Sequence, residues 1–166
     1  MSTVTRVSAA AQKTLAALEA LQPVALLLAR VVVGLVFVFS GWGKLHGLDQ
    51  VVDYFRSLGI PAPELQAPFV ATVEFVGGLA VVLGLGTRLA AVPLSATMVV
   101  AMVTAKWKDV AGVSDLVGFS ETDYLVFFFL LIAFGAGKLS VDAVIAPRLR
   151  ARAEGPGGAA TMLPAT

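Results

Sequence analysis

The sequence has no cysteine and a single histidine, His46, in 166 residues. Without thiols the chain forms no disulfide, iron–sulfur cluster, thiolate metal site or thiol relay of its own. One histidine also excludes a haem held by two histidines of one chain. Charge is scarce as well. Asp, Glu, Lys and Arg make up 14% of the chain, where an ordinary soluble domain carries about a quarter. The net charge is +1, without the concentrated basic surface of a nucleic-acid binder. What is present is apolar: 58% hydrophobic residues and a mean hydropathy of +0.88. A globule of this size has too much surface to leave uncovered by polar groups, so the composition points to a membrane protein whose first partner is the lipid bilayer.

Crossing a bilayer takes about 20 mainly apolar residues in a helix. Four segments, at about 24–45, 68–86, 88–106 and 122–139, meet or approach that length. They predict an all-α, four-helix, up-down transmembrane bundle over residues 23–142. The first apolar run is too long for a signal-peptide core and is expected to be retained. Arg6, Lys13, Arg30, Arg88, Lys138, Arg148, Arg150 and Arg152 fall on the side of the termini, against Lys44, Arg56, Lys106 and Lys108 on the other. By the positive-inside rule both termini are cytoplasmic, in what would be a bacterial inner membrane. Residues 1–22 read as a separate amphipathic helix on the cytoplasmic face. Leu48 to Leu58, with Val51, Val52, Phe55 and Leu58 at helical spacing, reads as an interfacial helix in the first outer loop, ended by Gly59. The second outer loop, Lys106 to Thr122, looks irregular. Residues 143–166 read as a basic anchor and a disordered tail.

Helical spacing sorts the polar residues onto stripes. Arg30, Gly34, Phe37, Gly41 and Lys44 share one face of the first span, and Glu74, Gly78, Val81, Leu85 and Arg88 one face of the second. Ser95, Val99, Met102 and Lys106 align on the third. Glu121, Tyr124, Phe128, Leu131, Gly135 and Lys138 align on the fourth. These faces, three of them with glycine for close approach in lipid, are expected to turn inward. Phe127 and Phe129 are expected to face lipid. The outer helix ends then bring Lys44, Glu74, Lys106, Glu121 and Asp123 together, with Trp42, His46 and Tyr124 near by. Charges at helix ends have an ordinary explanation in headgroup contact, and Arg30, Arg88 and Lys138 read as positive-inside anchors. Glu74 is different, because it lies about two turns inside its span. A charge at that depth costs at least about 2.5 kcal/mol and is usually paired or functional. Two motif fragments carry nothing. Gly41-Trp42-Gly43-Lys44 lacks the spacing of a phosphate loop, and Gly84-Leu85-Gly86 lacks the third glycine of a dinucleotide loop.

The ordered set of short motifs resembles the DoxX family of small bacterial membrane proteins. It comprises Arg30-x3-Gly34-x2-Phe37-x3-Gly41-x2-Lys44-Leu45, Tyr54-Phe55-x2-Leu58-Gly59-Ile60-Pro61, Glu74-x2-Gly77-Gly78, Gly84-x2-Thr87-Arg88 and Gly135-x-Gly137-Lys138-Leu139-Ser140-Val141-Asp142. The resemblance implies a four-helix membrane protein, often described as an oxidoreductase or quinol-oxidase-related subunit. Two readings follow. In one, a redox-associated subunit binds a quinone or similar small molecule near the outer leaflet. Lys44 and Lys106 stabilise the reduced oxygen and Glu74 exchanges the proton. Trp42, Tyr124 and Phe128 flank the ring, with His46, Glu121 and Asp123 in the same site. Electrons come from a soluble or membrane redox partner or from the substrate. In the other, the chain is a non-enzymatic scaffold, assembly factor or small-solute carrier, and the same charges fix helix register.

Overall fold

Apolar helix-forming runs punctuated by glycine and proline set the element order. The computed structural model describes residues 3–153, and the regular structure among the described residues is entirely helical. Helix α1 spans Thr3–His46 and α2 spans Leu48–Ser57. Helix α3 is Pro63–Leu83 and α4 is Thr87–Ala101. A π-helical turn (Met102–Lys106) and a 3₁₀ turn (Trp107–Asp109) extend α4. Short α5 (Val113–Gly118), α6 (Ser120–Phe134) and α7 (Val141–Ala153) complete the chain.

Among the described residues, three helical stretches are long and apolar enough to cross a membrane: Leu15–His46, Pro63–Leu83 and Thr87–Asp109. They fit a multi-pass membrane protein. Their outward faces carry bare hydrocarbon, with Val32, Phe39, Phe69 and Leu89 all exposed, a surface suited to lipid. The expected fourth span is shorter than 122–139. Helix α6 has 15 residues, about 22 Å at 1.5 Å per residue, against a hydrocarbon core of about 30 Å. It stops at Phe134 because Gly135 and Gly137 adopt positive φ, both 78°, which glycine tolerates and a continuing helix does not.

Two other boundaries differ from expectation. No break separates residues 1–22 from the first span: α1 runs 44 residues straight through Pro23. The lost N–H of one proline is carried by flanking Ala and Leu, the strongest helix formers. The second outer connection is partly helical, through the 3₁₀ turn and α5. The interfacial helix is found nearly as expected. Leu48–Ser57 keeps Val51, Val52 and Phe55 half-buried and Asp49, Asp53 and Arg56 exposed, and Gly59 follows at φ 73°. Residues 154–166, with the tail expected to be disordered, lie outside the described residues.

Helix α1 packs mainly on α3, α3 on α4, and α4 on α6. Phe37, Val81, Ala91, Leu94, Met98, Phe128 and Leu131 form the buried core between them. The first stripe lies inward throughout, with Arg30, Gly34, Phe37 and Gly41 buried and Lys44 half-buried. On α3 the inward face holds Glu74, Gly78 and Val81, while Leu85 and Arg88 are exposed. On α4 the expected stripe is displaced. The buried face is Thr87, Ala91, Leu94 and Met98, and Val99 is exposed. Phe129 is exposed as expected, whereas Phe127 packs against the core.

At the Gly84 end, Arg30 is no interfacial anchor. It is 1% exposed and donates through Nη1 to the Ala136 carbonyl and through Nη2 to that of Leu139, 3.0 Å away. It thereby ties α1 to the corner between α6 and α7. Gly84, at φ 70°, leaves room for it, since a Cβ there would lie 2.6 Å from Nη1. Asp142 from the same corner accepts the backbone N–H groups of Gly86 (2.7 Å) and Thr87 (3.1 Å), satisfying orphan donors at the start of α4. Arg88 and Lys138, by contrast, are exposed at this end.

The α1–α3 contact yields a test. A Cβ on Gly78 would lie 2.7 Å from the Val38 nitrogen and 2.8 Å from the Gly34 oxygen, whereas one on Gly43 meets nothing within 4 Å. Gly78→Ala should destabilise the detergent-solubilised protein by about 1–3 kcal/mol, the usual cost of overpacking. Gly43→Ala should be neutral or gain about 0.5–1 kcal/mol from helix propensity. Paired thermal or denaturant unfolding measures both, and equal effects would contradict the close approach.

Candidate functional site

The site grows from the same helix contact. Gly41 meets α3 so closely that a Cβ would lie 2.7 Å from the Ala71 oxygen. Ser40 and Lys44 sit to either side of it on α1. Glu74, one turn from Ala71 on α3, is 2% exposed. The Lys44 Nζ lies 2.5 Å from Glu74 Oε1 and 2.6 Å from Oε2, and Ser40 Oγ donates to Oε2 at 2.9 Å. The carboxylate is therefore compensated by an ammonium and a hydroxyl from the neighbouring helix, as a charge within a membrane requires. The Lys44 side chain remains 30% exposed, towards a cavity.

That cavity has a volume of about 630 Å³, within the range of small-molecule sites. Lys44 and Glu74 form part of its wall, with Lys106 and Glu121 also in the lining. Lys106 is presented by the π-helical turn, which shifts the side-chain register at the end of α4. Among the described residues neither Lys106 nor Glu121 makes an ion pair, and Lys106 Nζ lies 5.8 Å from the Phe119 ring centre. The rest is largely apolar. Helix α2 and the residue that caps it supply Val51, Tyr54, Phe55 and Leu58, α3 supplies Phe69 and Val70, and α4 supplies Pro93, Ala96, Val100 and Ala101. Gln50, Gln66, Thr97 and Thr104 add neutral hydrogen-bonding groups.

Helix α2 thus covers one side of the cavity. Arg56 fastens it to the start of α3, donating to Glu64 at 2.7 Å and to Asp53 at 2.5 Å. The Arg56 guanidinium is raised above its ordinary value, chiefly by its hydrogen bond to Glu64. Arg56 and Glu64 are both exposed, so the clasp is a weak one.

Of the nine candidate residues, the structure gathers Lys44, Glu74, Lys106 and Glu121 on one cavity. The other five lie elsewhere. Trp42 and His46 stack on each other with ring centres 4.1 Å apart, and Trp42 packs on Phe75 at 5.6 Å. Each is two residues from Lys44, which turns it about 200° round a helix of 3.6 residues per turn. Tyr124 and Phe128 meet Phe37 edge-on at 5.2 and 5.0 Å, inside the bundle core. Asp123 is exposed and outside the lining. Tyr54, Phe55 and Phe69 take the place of the expected aromatic flank. The sequence signal for the first two was present in the apolar face of α2. Ser40 was also missed, although it lies one turn before Lys44 on the same face.

The DoxX family model matches residues 25–107. Among curated proteins, "Putative oxidoreductase CatD" of Bacillus subtilis is 34% identical over 100 residues, 60% of this chain and 69% of its own. "Inner membrane protein YphA" of Escherichia coli is 34% identical over 128 residues, 74% of this chain and 91% of its own. An "Uncharacterized membrane protein" of Mycobacterium tuberculosis is 34% identical over 145 residues, 81% of this chain and 89% of its own. No solved structure matches the chain significantly.

The buried pair makes a direct prediction. Glu74→Gln leaves Lys44 facing a neutral amide and should cost about 3 kcal/mol, the lower end for breaking a buried pair, because Lys44 keeps a route to solvent. Lys44→Met should cost at least as much, because it strands the deeper charge. The double variant should recover part of the loss, with a coupling of about 1–3 kcal/mol in a double-mutant cycle. Additive losses would mean that the two groups do not interact.

Proposed function

The chain belongs to the DoxX family, and from that premise we propose that it is a redox-associated membrane subunit that binds a quinone or similar amphipathic small molecule in the cavity beside Lys44 and Glu74. The observation that carries this reading is the cavity itself: about 630 Å³, mostly apolar, with two ammonium and two carboxylate groups in its lining. A flat apolar ring with oxygen substituents fits that combination. The aromatic and aliphatic lining takes the ring, and Lys106 and Lys44 meet its oxygens. A bound quinone supplies a two-electron, two-proton couple. The chain's own residues hold and orient the ring, supply positive charge at its oxygens and, through Glu74, offer a carboxylate for proton exchange. Electrons come from a partner or from the reduced substrate. The word oxidoreductase in the name of the Bacillus relative is consistent with this reading.

In the same reading α6 and the corner after it complete a fourth crossing, giving an up-down bundle with both termini in the cytoplasm, Arg148 to Arg152 as a basic anchor and the cavity near the outer leaflet. The excess of Lys and Arg on the terminal side supports it. Because the native chain has no cysteine, single cysteines introduced at Ser2 and at Gly112 test it without background. A membrane-impermeant thiol reagent on intact cells should label the second and spare the first, and the reverse would overturn the orientation.

One observation favours a second reading. Glu74 already has Lys44 and Ser40 as partners within the protein. The pair could therefore serve only to fix helix register in a scaffold, assembly factor or small-solute carrier. Lys106 separates the two readings, since it has no ion-pair partner among the described residues. On the quinone reading, Lys106→Met should weaken binding of decylubiquinone to the purified protein about tenfold, the scale of one charge-assisted hydrogen bond, with little change in stability. Negligible binding to wild type, Lys106→Met and Glu74→Gln alike would sink it and leave the scaffold reading.

A further inference from the structure

Phe69 and Pro93 close one side of the charged cavity. The same two residues border a second groove of about 290 Å³ between α3 and α4, where they are joined by Val76, Gly77, Ala80 and Ala90. The groove follows α3 from Phe69 towards Ala80, a rise of about 16 Å at 1.5 Å per residue. It passes the level of Glu74 on α3 and runs on towards the Gly84 turn. Its lining is almost wholly apolar, Thr72 being the one polar residue. Ala80 and Ala90 leave the groove open, because a methyl group does not fill it.

We propose that this groove takes the hydrocarbon tail of the ligand whose polar head sits beside Lys44, Lys106 and Glu121. The inference rests on the head-group reading above and extends it to a substrate class: a redox-active ring with a long aliphatic or isoprenoid tail. Three observations support it. The cavity and the groove share two wall residues, Phe69 and Pro93, so only those side chains stand between them. The polarity changes along that path, from four charged side chains at the head end to hydrocarbon at the tail end. The groove also opens on the face where Phe69, Val76 and Leu89 are exposed, so a tail enters sideways from lipid. A freely soluble ring needs no such path. In lipid the tail gains packing contacts rather than escape from water, so the preference it confers is modest, about tenfold in affinity.

The test compares decylubiquinone with the same ring lacking its tail, on purified protein in nanodiscs. Wild type should bind the tailed compound about tenfold more tightly, a difference of about 1.4 kcal/mol. Ala80→Leu fills the groove and should reduce that ratio to about one while leaving the tail-less ring unchanged, and Ala90→Leu should do the same from α4. A tail preference that persists in both folded variants overturns the proposal. A decylubiquinone carrying a diazirine at the tail end gives a second readout on unmodified protein. Labelling of Val76, Ala80 or Ala90 supports the tail path, and labelling elsewhere overturns it. A diazirine-tailed phosphatidylglycerol that labels the same residues and is not displaced by decylubiquinone would assign the groove to a structural lipid and also overturn it. Failure of the tail-less ring to bind wild type would strike the head-group reading itself, which separates the two failures.

Discussion

A carboxylate buried midway along a membrane-crossing helix has to be compensated inside the protein, and much of this structure follows from how Glu74 is compensated. Lys44 and Ser40 reach it only because α1 and α3 run close together, and they run close because Gly34, Gly41 and Gly78 put no side chain between them. The glycines thus govern electrostatics as well as packing. Any increase in the α1–α3 spacing would lengthen two charge-assisted contacts to a carboxylate that is only 2% exposed. Lys44 is in turn held in one place on the cavity wall rather than sweeping through solvent, which gives the cavity a fixed positive group beside a fixed negative one.

The opposite end of the helix pair is fixed by a different device. Arg30 gathers the carbonyls of Ala136 and Leu139, and Asp142 gathers the first amides of α4. Neither side chain depends on the other's geometry alone, because each satisfies backbone groups left open by a chain reversal. With the Gly84 end tied in this way and the Lys44 end tied through Glu74, α1 and α3 are pinned near both ends of their contact. The cavity opens beside that pair, walled mainly by α2, α3 and α4, with Lys44 of α1 and Glu121 of α6 also in its lining. This division places a rigid pair of helices behind a more open ligand-sized space.

Much of this was legible in the sequence, and the failures have a common cause. The α1 stripe from Arg30 to Lys44 was readable because small and charged residues interrupt an otherwise aliphatic helix at a regular spacing. Helix α2 was readable because its two faces differ in polarity. Helix α4 was not, because it is apolar almost all the way round. Anchoring its stripe on Ser95 and Lys106 chose the wrong face, and the π-helical turn before Trp107 altered the register that links those two residues. Trp42, His46, Tyr124 and Phe128 were near the charges in sequence. Their positions round the helix axis turn the first two away and the last two into the core against Phe37. The tie made by Arg30 was out of reach because its partners are backbone carbonyls more than a hundred residues away, which no side-chain pattern announces.

The proposed site for the polar end of a membrane-borne ligand rests on the Lys44–Glu74 pair and on Lys106, which has no ion-pair partner among the described residues. An experimental map of the protein in nanodiscs with decylubiquinone tests this most directly. Ring density is expected in the cavity, with an oxygen within hydrogen-bond distance of Lys106 or Lys44 and the Lys44–Glu74 contact retained. A map in which the cavity has closed, with Lys106 paired to Glu121 and no density between α2 and α4, would contradict it.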